Sequence, residues 1–333
     1  MKTHKAKAAS AVVLDVQSGE IIAMVNQPSF NPNNRKQLRR SDMRNRAVTD
    51  VFEPGSTMKP FIVAAGLESG RYRPDTPVST SPGWYRVGVN TVRDVHDYGQ
   101  LDVTGVIRKS SNVGISKIAL SLTQESIWEL LSELGFGAQT FSGFPGEASG
   151  LLPHYSGWNA IETATMSFGY GLSATPLQLA QAYAVIASGG IKRSISFLHD
   201  KRSAEERRIM PARVAEQVRD MLEAAAGVDG TAPQAAVAGY RVAGKTGTVR
   251  KSVAGGYSDD RYRAVFAGMV PASNPRLVMV VVVDEPSAGQ YYGGQVAAPV
   301  FSKVMAGTLR LMAIPPDGLP LIQTRGASGE DSA

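Results

Sequence analysis

The sequence predicts an α/β fold of the α+β kind: one five-stranded antiparallel sheet flanked by helices, with an all-helical insert between its strands. Three observations predict it. Short apolar runs separated by turn residues stand at the start of the chain and again late in it, helical periodicity fills the middle, and an amphipathic stretch closes the chain. Strands joined by short turns pair antiparallel, so one sheet built from both ends of the chain, with the last helix laid on it, is the economical assembly.

In chain order, residues 11–15 and 20–25 flank Gln17-Ser18-Gly19 and read as a β-hairpin. Residues 27–46 are rich in Asn, Pro and Arg and read as loop. Glu53-Pro54-Gly55 is a breaker, after which a helix is expected over 56–67, ending near Gly70. Residues 71–99 carry Pro, Thr and Gly without periodicity. Helices are expected over 103–122, over 126–134 with Gly135 as its stop, and over 176–188 between Thr175-Pro176 and Gly189-Gly190. Residues 212–226 form a further amphipathic helix. Strands follow at 241–243 running into 248–250, at 263–270, and at 276–283 beyond the turn Asn274-Pro275, and then a helix over 296–311. This divides the chain into a basic leader (1–7), a main domain (8–313) and a flexible tail (314–333). Within the domain the sheet comes from about 8–30 and 240–313, and the helical insert from about 101–190. No internal repeat is visible.

Composition narrows the function classes. A chain of 333 residues, 43% hydrophobic, buries a sizeable core without covalent staples. It has no Cys, which removes disulfides, thiolate metal sites and a catalytic cysteine. Its histidines, His4, His96, His154 and His199, include no close pair, so neither a metal nor any other cofactor is expected. The net charge of +6 sits in runs at 1–7, 35–46 and 192–213, and only 7% of residues are aromatic. No basic stripe interleaved with aromatics appears, so these runs read as solvated faces rather than a nucleic-acid surface. The longest apolar run, 277–283, is seven residues of strand type, far short of the roughly 18 needed to span a membrane. Residues 1–7 lead into a strand pattern, not into a signal-peptide cleavage site.

Three short motifs carry chemistry. Ser56-Thr57-Met58-Lys59 is the one place where a Ser is followed by Lys three residues on. Positions i and i+3 share a helix face, so the hydroxyl and the amine can meet. Ser is a poor nucleophile until a base takes its proton, and Lys serves only where a helix N-terminus or a second cation lowers its pKa. Ser110-Ser111-Asn112 places a hydroxyl and a carboxamide in the helical region: the first can shuttle a proton to a leaving amine, the second can hold a peptide group. Lys245-Thr246-Gly247-Thr248 lies on a late strand, where Gly247 gives close backbone approach. Lys245 and the two threonine hydroxyls make an anion site suited to a terminal carboxylate. A backbone N–H there, with that of Ser56, can form an oxyanion hole.

In this order the motifs resemble the signature of penicillin-binding proteins and serine β-lactamases. The closer resemblance is to the transpeptidase domain of class B penicillin-binding proteins, the division-specific type, over about residues 8–313. Its flanks carry it further: Phe52-Glu53-Pro54-Gly55 before Ser56, Lys109 before Ser110, Val113-Gly114 after Asn112, Ser167-Phe168-Gly169-Tyr170-Gly171, and Ala243-Gly244 before Lys245. The resemblance implies a D,D-transpeptidase that cross-links peptidoglycan stem peptides during septal wall synthesis and is a target of β-lactams. Ser56 is then the nucleophile, Lys59 its base and Ser110 the proton relay. Asn112, Lys245, Thr246, Gly247 and Thr248 hold the substrate, with the oxyanion on the N–H groups of Ser56 and Thr248. It also implies a periplasmic location, a membrane anchor ahead of this domain, and partners among glycan polymerases and division proteins.

Other readings compete. A β-lactamase or D,D-carboxypeptidase shares the motifs, but the Glu-x-x-Leu-Asn pattern of class A β-lactamases is absent. A non-catalytic β-lactam sensor or division scaffold is a further alternative. The run from Gly239 to Thr246 matches the P-loop pattern GxxxxGK[ST], yet Gly247 and Gly255-Gly256 leave no room for the helix a P-loop needs. Residues 169–174 imitate a dinucleotide fingerprint without its strand–turn–helix unit and read as a glycine-rich turn near the site. Tyr257, Tyr291 and Tyr292 either form an aromatic wall of the site or simply pack their loops.

Overall fold

The computed structural model describes residues 1–34, 39–198, 205–253 and 255–318. His199, parts of two basic runs and residues 319–333 of the expected tail lie outside the described residues. In chain order the elements are β1 (Ala8–Asp15), β2 (Ile21–Gln27), α1 (Arg46–Thr49), α2 (Lys59–Glu68), β3 (Pro77–Ser79), β4 (Trp84–Val87), β5 (Asn90–Arg93) and β6 (Gln100–Asp102). Next come α3 (Val103–Lys109), α4 (Asn112–Leu120), α5 (Gln124–Leu134), α6 (Ala160–Met166), α7 (Pro176–Ala187), β7 (Ile191–Arg193), β8 (Glu206–Arg208) and α8 (Ala212–Ala226). The chain then runs through β9 (Ala243–Val253), β10 (Gly256–Val270), β11 (Leu277–Asp284), α9 (Gly293–Val296) and α10 (Ala298–Leu311).

The central sheet has five strands in the order β2-β1-β11-β10-β9, each pair antiparallel. Its two halves come from opposite ends of the sequence, joined where β1 pairs with β11, Ala8 opposite Asp284 through Asp15 opposite Leu277. The run Leu277–Asp284 is apolar on both faces because it is central and covered on both sides. One face meets α10, whose Phe301, Met305 and Leu309 pack with Val13, Phe266, Met279 and Val281. The other face carries Val12, Leu14, Val265, Val278 and Val280 and lies under α7 and α8, with α2 packed against α8 in the same core. A helix repeat of 3.6 residues facing a sheet repeat of two gives this layered core.

Several expectations need correction. The helix expected over 103–122 is two helices, because Ser110 takes a left-handed conformation (φ 59°) that stops α3, while Ser111 caps α4 by accepting from Gly114 N at 2.8 Å. The stretch 71–99 is not structureless: short hairpin ladders pair β4 with β5 and β3 with β6. Within the helical insert, α7 packs directly on β1 and β11. The basic leader is tied down, since Lys7 N donates to the Asp284 carbonyl at 2.9 Å and Ser287 N to the His4 carbonyl at 2.9 Å. At the other end, docked chain continues past 314: Tyr240 OH donates to the Ile314 carbonyl, and Asp317 accepts from Arg241 N and Ser273 N.

Candidate active site

Ser56 lies not on an α-helix but on a 3-10 turn, Gly55–Met58, that runs into α2. Pro60 is the reason. It has no N–H for an α-helical bond to the Ser56 carbonyl, which accepts instead from Lys59 N, three residues on. A 3-10 turn eclipses positions i and i+3, so the side chains of Ser56 and Lys59 leave on the same side. The turn is pinned from several directions. Thr57 Oγ1 donates to the Pro54 carbonyl at 2.8 Å, and the buried Tyr183 hydroxyl of α7 donates to the Thr57 carbonyl at 2.9 Å. Gly169 (φ +83°) accepts from Gly55 N at 3.2 Å, and a Cβ on Gly169 would fall 2.2 Å from the Gly55 carbonyl oxygen. Only glycine permits both that conformation and that approach. The fingerprint-like run at 169–174 is therefore the turn that backs the nucleophile.

Lys59 is fully buried. Its amine donates to the Ser110 carbonyl (2.5 Å), Ser110 Oγ (3.1 Å) and Asn112 Oδ1 (2.8 Å). Three acceptors match the three donors of an ammonium, and none of these bonds goes to Ser56. The first two motifs thus meet at Lys59, with the amine drawn toward Ser110 in this resting arrangement. Burial holds the Lys59 pKa well below the ordinary lysine value; the Lys245 cation adds to the shift and the Asp94 carboxylate opposes it.

Asp94 belongs to no motif. It follows β5 and accepts from Ser111 Oγ (2.5 Å), Asn112 N (2.5 Å) and Val113 N (3.1 Å), a carboxylate at the open N–H groups of α4. Asn112 Nδ2 donates to the Arg93 carbonyl at 3.1 Å. The chain around Arg93-Asp94 therefore fixes both ends of the Asn112 residue, its backbone and its amide. In the sequence Asp94 is one acid in a polar loop, 17 residues before Ser111.

The third motif lies in β9, an edge strand of the central sheet. Side chains alternate across a strand, so Lys245 faces Lys59 and the helices while Thr246 and Thr248 face α9. The expected anion site is thus split across the strand, with the ammonium on one side and the hydroxyls on the other. Lys245 is fully buried and pushed down to about 7 by desolvation. Thr246 Oγ1 lies 2.7 Å from Thr231 Oγ1, and Thr248 Oγ1 accepts from Gly293 N at 3.0 Å. The Thr248 hydroxyl hydrogen is left to donate elsewhere. A Cβ on Gly247 would lie 2.9 Å from the Pro54 carbonyl oxygen, so the nucleophile turn presses on the strand at that residue. Because Lys245-Thr246 sits in a strand of a hairpin, it cannot cradle a nucleotide phosphate as a P-loop does.

These elements enclose a cavity of about 630 Å³. Ser56, Ser110, Asn112, Thr246 and Thr248 line it, together with Asp94, His96 and Lys109. Lys59 and Lys245 lie behind its wall. Of the three tyrosines named for an aromatic wall, one stands at the cavity. Tyr292 lines the cavity; Tyr291 stacks between Tyr292 (4.6 Å) and Tyr262 (4.3 Å), and Tyr257 bonds elsewhere. Thr231, Gly293 and Asp94 belong to no motif, and each acts through a partner outside its own stretch of chain.

The family model described as the penicillin binding protein transpeptidase domain matches residues 9–306. The probable peptidoglycan D,D-transpeptidase PenA of Neisseria flavescens is 46% identical over 313 residues, covering 94% of this chain and 78% of the relative. The peptidoglycan D,D-transpeptidase FtsI of Escherichia coli K12 is 46% identical over 316 residues, 95% of this chain and 53% of the relative. The chain thus spans about half of the E. coli protein's length. Among solved structures, the apo transpeptidase domain of Burkholderia pseudomallei penicillin-binding protein 3 superposes with a TM-score of 0.88 at 43% identity, over 96% of this chain and 92% of that one.

Proposed function

This chain belongs to the penicillin-binding-protein transpeptidase family, the serine D,D-transpeptidases of peptidoglycan, and we propose the following division of labour for its residues. Ser56 Oγ attacks the carbonyl between two terminal D-alanines of a stem peptide, and neutral Lys59 takes its proton. The oxyanion lies on the N–H groups of Ser56 and Thr248. As the C–N bond breaks, Ser110 delivers a proton to the departing D-alanine, drawing on Lys59, to which its hydroxyl is bonded. A second stem's amine then attacks the ester carbon, Ser56 Oγ leaves as the hydroxyl, and a peptide cross-link remains. Asn112 orients the donor peptide, and Lys245, Thr246 and Thr248 hold its terminal carboxylate from the two sides of β9. A β-lactam presents the same carbonyl and carboxylate but tethers its leaving amine, so the protein stalls as the acyl-serine.

The observation that carries this reading is the convergence on Lys59: one buried amine, bonded to Ser110 and Asn112, eclipsing a serine that opens on the same cavity. We assign the chain to the periplasmic side of the cell envelope, in septal wall synthesis beside a glycan polymerase, on the same family grounds. Among the described residues no helix is long and apolar enough to cross a membrane. Fluorescent penicillin is expected to label the wild-type protein covalently and to leave Ser56→Ala unlabelled. Labelling of both would remove the acyl-serine reading; rapid release of penicilloate would turn it to β-lactamase. Cross-linked product from lipid-linked precursor and a polymerase distinguishes transpeptidase from carboxypeptidase or sensor.

A further inference from the structure

We propose that Glu53 is a positioning residue that ties the β9–β10 hairpin to the nucleophile turn and thereby sets the rate at which Ser56 is acylated, an inference that rests on the acyl-serine reading above. Glu53 Oε1 accepts from the Tyr257 hydroxyl at 2.9 Å and from Gly171 N at 2.9 Å. These donors stand 204 and 118 residues from it in the chain. Among the described residues Glu53 forms no ion pair, and both donors to its carboxylate are neutral.

The three segments joined are those that shape the nucleophile. Glu53 precedes Pro54-Gly55-Ser56 directly. Its neighbour Phe52 pairs with Ala174 by two backbone bonds (3.0 and 2.9 Å), and Gly55 N bonds the Gly169 carbonyl. Glu53 adds the third tie between this segment and the 169–174 turn. Tyr257 is the link to the hairpin. The β9–β10 ladder shifts register between Tyr257 and Tyr262, so the hairpin beyond that point departs from the regular sheet. Tyr257 is 47% exposed, and its ring meets Tyr170 edge-on at 5.4 Å. The hydrogen bond to Glu53 fixes where that arm stands relative to Ser56. Neither Glu53 nor Tyr257 lines the cavity, so their effect is exerted through the backbone they hold.

The test measures acyl-enzyme formation by intact mass across penicillin concentrations, separating the limiting acylation rate from half-saturation. Glu53→Ala removes both bonds and is expected to lower the limiting rate by about tenfold, the scale of a small misplacement of a reacting group, with little change in half-saturation. Glu53→Gln keeps an acceptor oxygen and is expected to recover to within about threefold of wild type. Tyr257→Phe loses one bond of two and is expected to fall between. A wild-type limiting rate in Glu53→Ala, or a Gln variant as slow as the Ala variant, overturns the proposal. Should Glu53→Ala fail to fold by thermal melting, Tyr257→Phe decides alone, and an unchanged rate there overturns it. Ser56→Ala run alongside separates the two readings: its acylation would sink the acyl-serine reading, whereas an unaffected Glu53→Ala sinks only this one.

Discussion

Lys59, three residues after the nucleophile, and Lys245, on β9, are both fully buried and have no carboxylate in contact among the described residues, and that placement fixes how the reaction should respond to pH. Both pKa values are lowered, chiefly by burial, and Lys59 is lowered further by the charge on Lys245. Lys59 must be neutral to accept the Ser56 proton, so acylation rises with pH as Lys59 deprotonates, well below the ordinary lysine range. Lys245 must be charged to hold a carboxylate, so the rate falls again as Lys245 loses its proton, near its value of about 7 in the free protein. The expected profile of the second-order acylation rate is a bell. Lys245→Arg keeps the cation at every accessible pH and should remove the alkaline limb. Asp94 raises the Lys59 pKa, so Asp94→Asn should move the acid limb to lower pH; an unmoved limb would separate Asp94 from Lys59. The motif residues were legible because their chemistry is written within three or four positions of one another. Asp94 and Glu53 were not, because each is an ordinary acid until the fold brings it to Ser111 or Tyr257.

Local turn chemistry decides the elements that carry the motifs. Pro60 converts the start of the expected helix into a 3-10 turn, and Ser110-Ser111 cuts a periodic stretch of 20 residues into α3 and α4. Apolar periodicity runs through both helices, since their buried faces belong to one core, and so the break was invisible to a pattern that counts only hydrophobic spacing. Two adjacent serines followed by Asn were the available signal, a stop residue and a cap in succession. Ser111 is fully buried, accepts from Gly114 N at 2.8 Å and donates to Asp94 at 2.5 Å. Ser111→Ala leaves the Gly114 amide without its acceptor and the Asp94 carboxylate without one of its three donors. It should destabilise the protein by about 1–2 kcal/mol, read as a lower thermal midpoint, and slow acylation because Asn112 opens the helix that has lost its cap. A melt and an acylation rate both equal to wild type would remove α4 capping from the account.

At the scale of the whole molecule, the sheet is joined by strands from the two ends of the chain, Ala8 opposite Asp284, and each of its faces depends on a different part of the chain. A single antiparallel sheet of five strands was readable from turn lengths and the apolar runs, whereas the strand order, with β1 beside β11, and the packing of α7 on those two strands required contacts between distant segments that periodicity does not encode. The face opposite α7 and α8 relies on α10, near the end of the described chain, and Phe301 is its fully buried anchor, edge-on to Phe266 at 5.0 Å. Truncating that ring opens a cavity between helix and sheet that rigid strands cannot collapse to fill. Phe301→Ala should therefore cost about 3–5 kcal/mol, seen as a lower urea midpoint with an unchanged slope. Val304, on the same helix but 38% exposed, gives the internal comparison: Val304→Ala should shift stability by no more than about 0.5 kcal/mol, since it empties no packed space. Equal losses in the two variants would mean that α10 contributes through its helix formation and not through the core it covers.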